Sequence, residues 1–154
     1  MMDSGDYVIN TACVVADYFN YRIQKEGYDW QVSPTRNCPN NKVNIAVRKL
    51  CQEFEAKYGK QFQEMCHTCA TLGLERDSYV EVLNQLLEVD GLNWGRVIAI
   101  FAFGGQMCLN SMANNCPNEV DFVREWTYSF MHKNVDQWIR ENGGWVGTFI
   151  NNYL

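Results

Sequence analysis

Apolar residues recur at the spacing of an α-helix along nearly the whole chain, and no stretch alternates as a half-buried strand would. The clearest seam stands at positions i, i+4, i+7 and i+11, so that its members share one helix face: Val43, Val47, Leu50 and Phe54. The pattern predicts an all-α protein whose helices mostly bury one side.

Breaks between the periodic stretches predict where helices begin and end. Ser4 is a suitable N-cap for the first helix and Gly27 a suitable stop, whereas Pro34 and Pro39 mark the next stretch as a loop. Gly59 is expected to end or bend the second helix. We expect helices over residues 4–26, 40 or 41 to 59, 61–70, 77–90, 94–112, 118–133, 135–141 and 144–152.

The predicted helix from Trp94 to Met112 is apolar on nearly every side, as is typical of a helix surrounded by other helices. Asn93 is a suitable N-cap, and Arg96 is the only charged residue in it. Because a lone buried charge is costly, Arg96 is expected at the rim of an apolar surface, where its guanidinium can bind a carboxylate. From periodicity alone, an internal ion pair with Glu88 or Asp90 is an equal alternative.

Composition limits the classes of partner and location. The chain has 154 residues, 47% of them hydrophobic, and a net charge of −5, which suits one domain and argues against a nucleic-acid partner. The longest apolar run, Val97 to Leu109, is shorter than the roughly 20 residues that cross a bilayer. We therefore expect either a soluble protein or a C-terminal membrane tail that is absent or removed.

Seven cysteines cannot all pair internally, and their positions in helices indicate buried thiols in a reducing, intracellular compartment. The cluster Cys66-His67-Thr68-Cys69 lacks the second cluster that a structural zinc site needs. No phosphate-binding loop, nucleophile elbow or paired carboxylates appear. We expect no metal, no cofactor and no enzymatic activity.

Four segments resemble the homology regions of the Bcl family, the B-cell-lymphoma-two apoptosis regulators. GLNWGRVIAIFAFGG (residues 91–105) resembles the first region and VDQWIRENGGW (135–145) the second. VNIAVRKLCQEFEAKY (43–58) resembles the third, and RIQKEGYDW (22–30) resembles the end of the fourth. The four occur in the family's order and are spread from the first predicted helix to the last, so that the resemblance spans nearly the whole chain.

The resemblance implies a single domain over residues 1–154, an all-α bundle in which amphipathic helices wrap a central apolar helical hairpin. It also implies a groove that receives the BH-three (BH3) helix of a pro-apoptotic relative. Arg96 would pair with the ligand's aspartate, Asn93 would hydrogen-bond beside it, and Gly95 would let the ligand backbone approach. The remaining groove residues implied by position are Phe54, Tyr58, Phe62, Met65, Val82, Leu86, Ile98, Phe103 and Tyr153.

One difference from the family's pattern indicates whether this chain resembles a pro-survival or a pro-apoptotic member. Where relatives carry a small residue and an aspartate in the third region, this chain has Cys51 and Gln52. Gln52 cannot supply a carboxylate to a partner's arginine, although Glu53 is adjacent. This favours a pro-survival protein that sequesters BH3 helices over one that offers its own.

Two alternatives remain open. The first is a pore-forming, pro-apoptotic effector of the same fold that permeabilises the mitochondrial outer membrane. The second is a viral or divergent relative whose groove binds another partner, such as an autophagy regulator with a BH3-like helix. For all of them the resemblance implies a cytoplasmic and mitochondrial outer-membrane location, with attachment to a mitochondrial or reticulum membrane through a tail outside this chain.

Overall fold

A computed structural model describes residues 10–30, 42–71, 73–88 and 91–146, and the predicted all-α class is confirmed. In this part of the chain the structure consists of helices joined by short turns. They are α1 (Thr11–Lys25), α2 (Lys42–Thr71), α3 (Arg76–Glu88), α4 (Trp94–Ala113), α5 (Asn118–Asn134) and α6 (Asp136–Glu141).

Helix α4 lies at the centre of the bundle, as its composition predicts. Nearly all of its side chains are buried, and α1, α2, α3 and α5 pack around it. Two glycines let α1 approach closely, because a Cβ at Gly104 would lie 2.5 Å from Phe19 Cζ and one at Gly105 would lie 2.7 Å from Tyr18 Cε2. These close contacts explain two consecutive glycines inside a helix, where each is costly.

The predicted stop at Gly27 is confirmed. Gly27 has a φ of +88°, which suits glycine. Its N–H donates to Gln24 O and that of Tyr28 donates to Ile23 O, which satisfies the carbonyls at the end of α1. At the other end Asn10 is the N-cap of α1, and the predicted cap Ser4 lies outside the described residues.

The predicted break near Gly59 is wrong. Helix α2 runs without interruption for 30 residues, so the helices expected over residues 40–59 and 61–70 are one. A glycine in a helix costs about 1 kcal/mol relative to alanine, which does not stop a helix whose remaining residues are packed. The rings of Phe54 and Phe62, on either side of Gly59, lie 5.0 Å apart and pack against the core.

Two ion pairs hold α2 against α1. Arg48 donates two hydrogen bonds to Asp17, at 3.0 and 2.6 Å, and its guanidinium lies 5.1 Å from the centre of the Tyr21 ring. Arg22 donates to Glu55 at 3.0 Å. Bidentate arginine–carboxylate pairs are the more specific kind of ion pair, so these contacts set the position of α2 along α1.

The expectation of buried free thiols in a reducing compartment holds only in part, because Cys116 is exposed and Cys13 is disulfide-bonded, which a reducing compartment does not favour. The free thiols are Cys51, Cys66, Cys69, Cys108 and Cys116. None of the described helices is long and apolar enough to cross a bilayer. The loop expected over residues 28–39 and the helix expected over 144–152 lie largely outside the described residues.

Candidate binding groove

The apolar seam on α2 and its neighbour Cys51 lie in two environments. Val43, Val47 and Cys51 are buried in the core, and the Cys51 thiol donates to Ile98 O at 3.8 Å. Leu50 and Phe54 are only partly buried. One edge of α2 therefore belongs to the bundle, and the neighbouring edge lines a surface depression.

Two clefts lie along α2, one against α4 and the other against α3, and we call the two together the groove. The α2–α4 cleft has a volume of about 220 Å³ and is lined by Leu50, Glu53, Phe54, Lys57, Tyr58, Trp94, Gly95 and Ile98. The α2–α3 cleft has a volume of about 540 Å³ and is lined by Gln61, Glu64, Met65, Thr68, Cys69, Ser78, Glu81, Val82 and Gln85.

A row of aromatic rings supports both clefts. Successive rings of Tyr58, Phe54, Phe62, Phe103 and Tyr79 have centroids 4.8, 5.0, 6.0 and 5.6 Å apart. Phe62 is 5% exposed, and Phe103 is fully buried beneath it. Phe103 therefore supports the floor from below without reaching the surface.

The N-terminus of α4 borders the α2–α4 cleft, which Trp94 and Gly95 line, and is held by two kinds of contact. The predicted N-cap is confirmed, since Asn93 Oδ1 accepts a hydrogen bond from the Arg96 N–H at 2.9 Å. The indole of Trp94 lies 5.1 Å from that of Trp138 and 5.3 Å from that of Trp145. This tryptophan cluster fixes α6 and the following turn against the start of α4.

Arg96 is partly exposed and joins α4 to α3. Its Nη1 donates to Leu86 O at 3.0 Å, near the C-terminal end of α3, where carbonyls have no partner within the helix. A guanidinium is a planar fork of N–H donors, and this bond helps to fix its orientation beside the end of α3. The Glu88 side chain and Asp90, the alternative internal partners, lie outside what the structure describes.

Six of the twelve groove residues expected from the sequence line the two clefts, and five line neither: Phe62, Leu86, Asn93, Arg96 and Phe103. Phe54, Tyr58, Gly95 and Ile98 line the α2–α4 cleft, and Met65 and Val82 line the α2–α3 cleft. Leu86 is half-buried against the core, with its carbonyl on Arg96. Tyr153 lies outside the described residues.

Several polar lining residues did not emerge from the sequence. Glu64 and Thr68 lie beside Met65, and Ser78, Glu81 and Gln85 lie within one turn of Val82. Helical spacing would have indicated Thr68, Ser78 and Gln85, because each lies three or four residues from Met65 or Val82. Glu64 and Glu81 are adjacent to these apolar residues, so that rule does not indicate them.

Helix α3, one wall of the groove, is anchored by a buried polar contact. The Tyr79 hydroxyl lies 2.7 Å from Thr127 Oγ1 on α5, and Thr127 itself donates to Val123 O at 2.7 Å. Because the single hydroxyl hydrogen of Thr127 is engaged there, Tyr79 is the donor. Burial raises the pKa of Tyr79 well above its ordinary value, so it donates at all physiological pH values.

Thiols near the groove are also protonated. Burial raises the pKa of Cys69, which lines the α2–α3 cleft, although the Ser78 hydroxyl opposes the shift. Burial likewise raises the pKa of Cys66. Thiolate is the nucleophile and metal ligand, so neither thiol is prepared for such chemistry.

Comparison with known proteins identifies similar sequences over most of this region. Residues 47–145 match the family model described as apoptosis regulator proteins, Bcl-2 family. Over 116 residues, 75% of this chain, it is 35% identical to Bcl-2-like protein 1 of Sus scrofa and 34% identical to that of Homo sapiens. It is 34% identical to apoptosis regulator Bcl-2 of Gallus gallus over 104 residues, 67% of this chain. The matched segments cover 49, 49 and 44% of these relatives.

Proposed function

The chain belongs to the Bcl-2 family of apoptosis regulator proteins, and from that premise we propose that it is a pro-survival member that acts by binding. In this proposal the groove between α2, α3 and α4 receives the BH3 helix of a pro-apoptotic relative and so prevents that relative from acting. The observation that carries the proposal is the pairing of two apolar clefts with an arginine beside them, bonded to Leu86 O on α3.

The apolar part of the groove suits the hydrophobic face of a helix. Phe54, Ile98, Met65 and Val82 supply apolar surface in two clefts along the groove. Each large apolar side chain that becomes buried contributes roughly 1.5–3 kcal/mol before the costs of association. A helix with anchors at i, i+4, i+7 and i+11 presents such side chains on one face.

Arg96 supplies the polar part of the recognition. In the proposal its guanidinium, oriented by Leu86 O, binds the carboxylate of the ligand helix, and Asn93 and Gly95 lie beside it. A partly buried charge pair fixes register and orientation, while its net contribution to affinity depends on how fully both groups are satisfied.

The pro-survival assignment is supported by α2. The segment that resembles a BH3 region has Gln52, which is exposed, at the position of the relatives' aspartate. Cys51 before it is fully buried. Its apolar residues Val43 and Val47 are packed in the core. This helix is therefore poorly suited to leave the bundle and serve as a ligand.

Titration with a panel of BH3 peptides, followed by calorimetry, tests the proposal. We expect at least one peptide to bind, and Arg96→Ala to weaken that binding about ten-fold or more, as for loss of a charged hydrogen bond. Arg140→Ala on α6, an exposed arginine outside the groove, is the matched control and should bind normally. Failure of every peptide, or unchanged binding by Arg96→Ala, would overturn it.

The second candidate is a pore-forming effector of the same fold. The apolar helix α4 favours it, because exposure of that helix would give the protein affinity for lipid. Release of dye from liposomes with outer-mitochondrial lipids, with and without a BH3 peptide, separates the two. We expect no release beyond background; robust release would replace the pro-survival assignment.

We further propose that the protein acts in the cytoplasm and at the mitochondrial outer membrane, where BH3 partners of the family would be met. Fractionation of cells expressing the tagged chain tests this location. Recovery only in secreted or nuclear fractions would contradict it.

A further inference from the structure

The α2–α3 cleft has an acidic rim. Glu64 on α2 and Glu81 on α3 line it from opposite sides, and both side chains are exposed. Among the described residues that line this cleft none is basic. The α2–α4 cleft differs, since Glu53 and Lys57 there have opposite charges.

The two carboxylates are not engaged in ion pairs with described residues. Glu81 Oε2 accepts one long hydrogen bond, 3.4 Å from Gln85 Nε2 on its own helix, and Glu64 has no side-chain hydrogen bond to a described residue. Within the described part of the chain, no partner across the cleft neutralises their charges.

The floor between them is apolar. Met65 and Val82 are partly buried there, and the Cys69 thiol is protonated because burial raises its pKa. An apolar floor between two carboxylates is complementary to an apolar side chain flanked by a cation.

We propose that Glu64 and Glu81 are specificity-determining residues that select ligand helices carrying a lysine or arginine over the α2–α3 cleft. The inference rests on the proposed function, since it takes the groove as the site of an amphipathic helix. It adds that the groove favours a helix that is basic at one place and acidic at another.

The distance between the two charge sites limits the ligand further. Arg96 donates to the carbonyl of Leu86, and Glu81 precedes Leu86 by five positions on α3. At 1.5 Å per residue this is about 7–8 Å along the helix. A ligand helix that lies along α3 therefore carries its cation about four to six residues from its acid.

The test uses a synthetic amphipathic peptide with anchors at i, i+4, i+7 and i+11 and one aspartate. Lysine, glutamine or glutamate is placed, in separate peptides, at positions about four to six residues to either side of the aspartate. At the position where the substitution has the largest effect, we expect the lysine peptide to bind more tightly than the glutamine peptide. The glutamine peptide should in turn bind more tightly than the glutamate peptide. Each step should be about two- to five-fold at low salt, the range of exposed charge pairs.

Variants of the protein assign the preference to these carboxylates. The double variant Glu64→Gln, Glu81→Gln should bind the three peptides with equal affinity, and high salt should reduce the preference of the parent chain. Glu125→Gln, an exposed carboxylate on α5, should retain the preference.

The outcomes separate this inference from the proposed function. Equal binding of all three peptides by the parent chain, or a lysine preference that survives in the double variant, overturns this inference alone. Absence of binding by any peptide overturns the proposed function and this inference together.

Discussion

The hydroxyl of Tyr79 donates a hydrogen bond of 2.7 Å to Thr127 Oγ1 in the buried space between α3 and α5. The same tyrosine ring stacks on Phe103, 5.6 Å away, beneath the groove. A wall of the candidate groove is thus tied to the far side of the bundle by one polar contact and one aromatic contact.

The loss of folding stability should depend on which of the two hydrogen-bonding hydroxyls is removed. Thr127→Val leaves a buried donor on Tyr79 unsatisfied and should destabilise the protein by about 1–3 kcal/mol. Tyr79→Phe leaves Thr127 still donating to Val123 O, so we expect a loss of about 1 kcal/mol.

Denaturant unfolding of both variants and of the double variant measures this coupling. We expect the double variant to lose less stability than the sum of the single losses, because both changes remove the same bond. Strict additivity would show that the hydroxyls are not coupled.

The glycine pair in α4 should tolerate no side chain. Gly104→Ala would place a Cβ 2.5 Å from Phe19 Cζ and 2.9 Å from the Tyr79 hydroxyl. Overpacking of this kind should cost about 1–3 kcal/mol in spite of the better helix propensity of alanine.

Gly59→Ala is the matched control. Gly59 lies inside α2, and a Cβ there would meet nothing within 4 Å. We expect this variant to gain roughly 0.5–1 kcal/mol in thermal or denaturant unfolding. Stabilisation by Gly104→Ala would contradict the close packing of α1 on α4.

Alkaline pH should destabilise the fold. Burial raises the pKa of the Cys51 and Cys108 thiols well above the ordinary value, so the folded protein holds these protons longer than the unfolded chain does. The resulting stability is fully present below the unfolded thiol pKa of about 8.5 and falls as pH rises beyond it.

The slope of the unfolding free energy against pH measures this effect. Each thiol should contribute up to about 1.4 kcal/mol per pH unit, and buried tyrosines should add to the fall above about pH 10. Cys108→Ala should reduce the slope whatever it does to the stability at neutral pH. A free energy that stays flat from about pH 8.5 to 10 would contradict the assignment of these thiols as neutral.

Asn93 combines a capping role with a proposed binding role, and two substitutions separate them. Asn93→Asp and Asn93→Ser both retain an oxygen that can accept from the Arg96 N–H, so each should change the stability by less than about 0.5 kcal/mol. Asn93→Ala removes the cap and should cost about 1 kcal/mol.

Peptide binding should follow a different order. Asn93→Asp places a carboxylate beside the proposed position of the ligand's acid, so we expect it to weaken BH3-peptide binding about five-fold, the size of an exposed like-charge contact. Asn93→Ser should bind more tightly than Asn93→Asp. Equal binding by these two variants would indicate that the ligand's acid does not approach Asn93.

Local features of the chain were predictable because their causes are local. The burial of α4 follows from its composition, the cap at Asn93 follows from one side-chain oxygen at a helix start, and Gly27 ends α1 through its own φ. The break expected at Gly59 was wrong because its cause is not only local: a cost of about 1 kcal/mol was outweighed by the packing of distant residues.

The sequence by itself determined the all-α class, the identity of the central helix and the members of the apolar seams, because helical period and capping act within a few residues. Only the tertiary structure decided how those seams are used. Packing against α1 and α4 buries Val47 and Cys51 but leaves Leu50 and Phe54 on a cleft, and the approach of α3 to α2 places Glu81 opposite Glu64. Such facing of distant segments depends on the shape of the whole core, which no local pattern encodes.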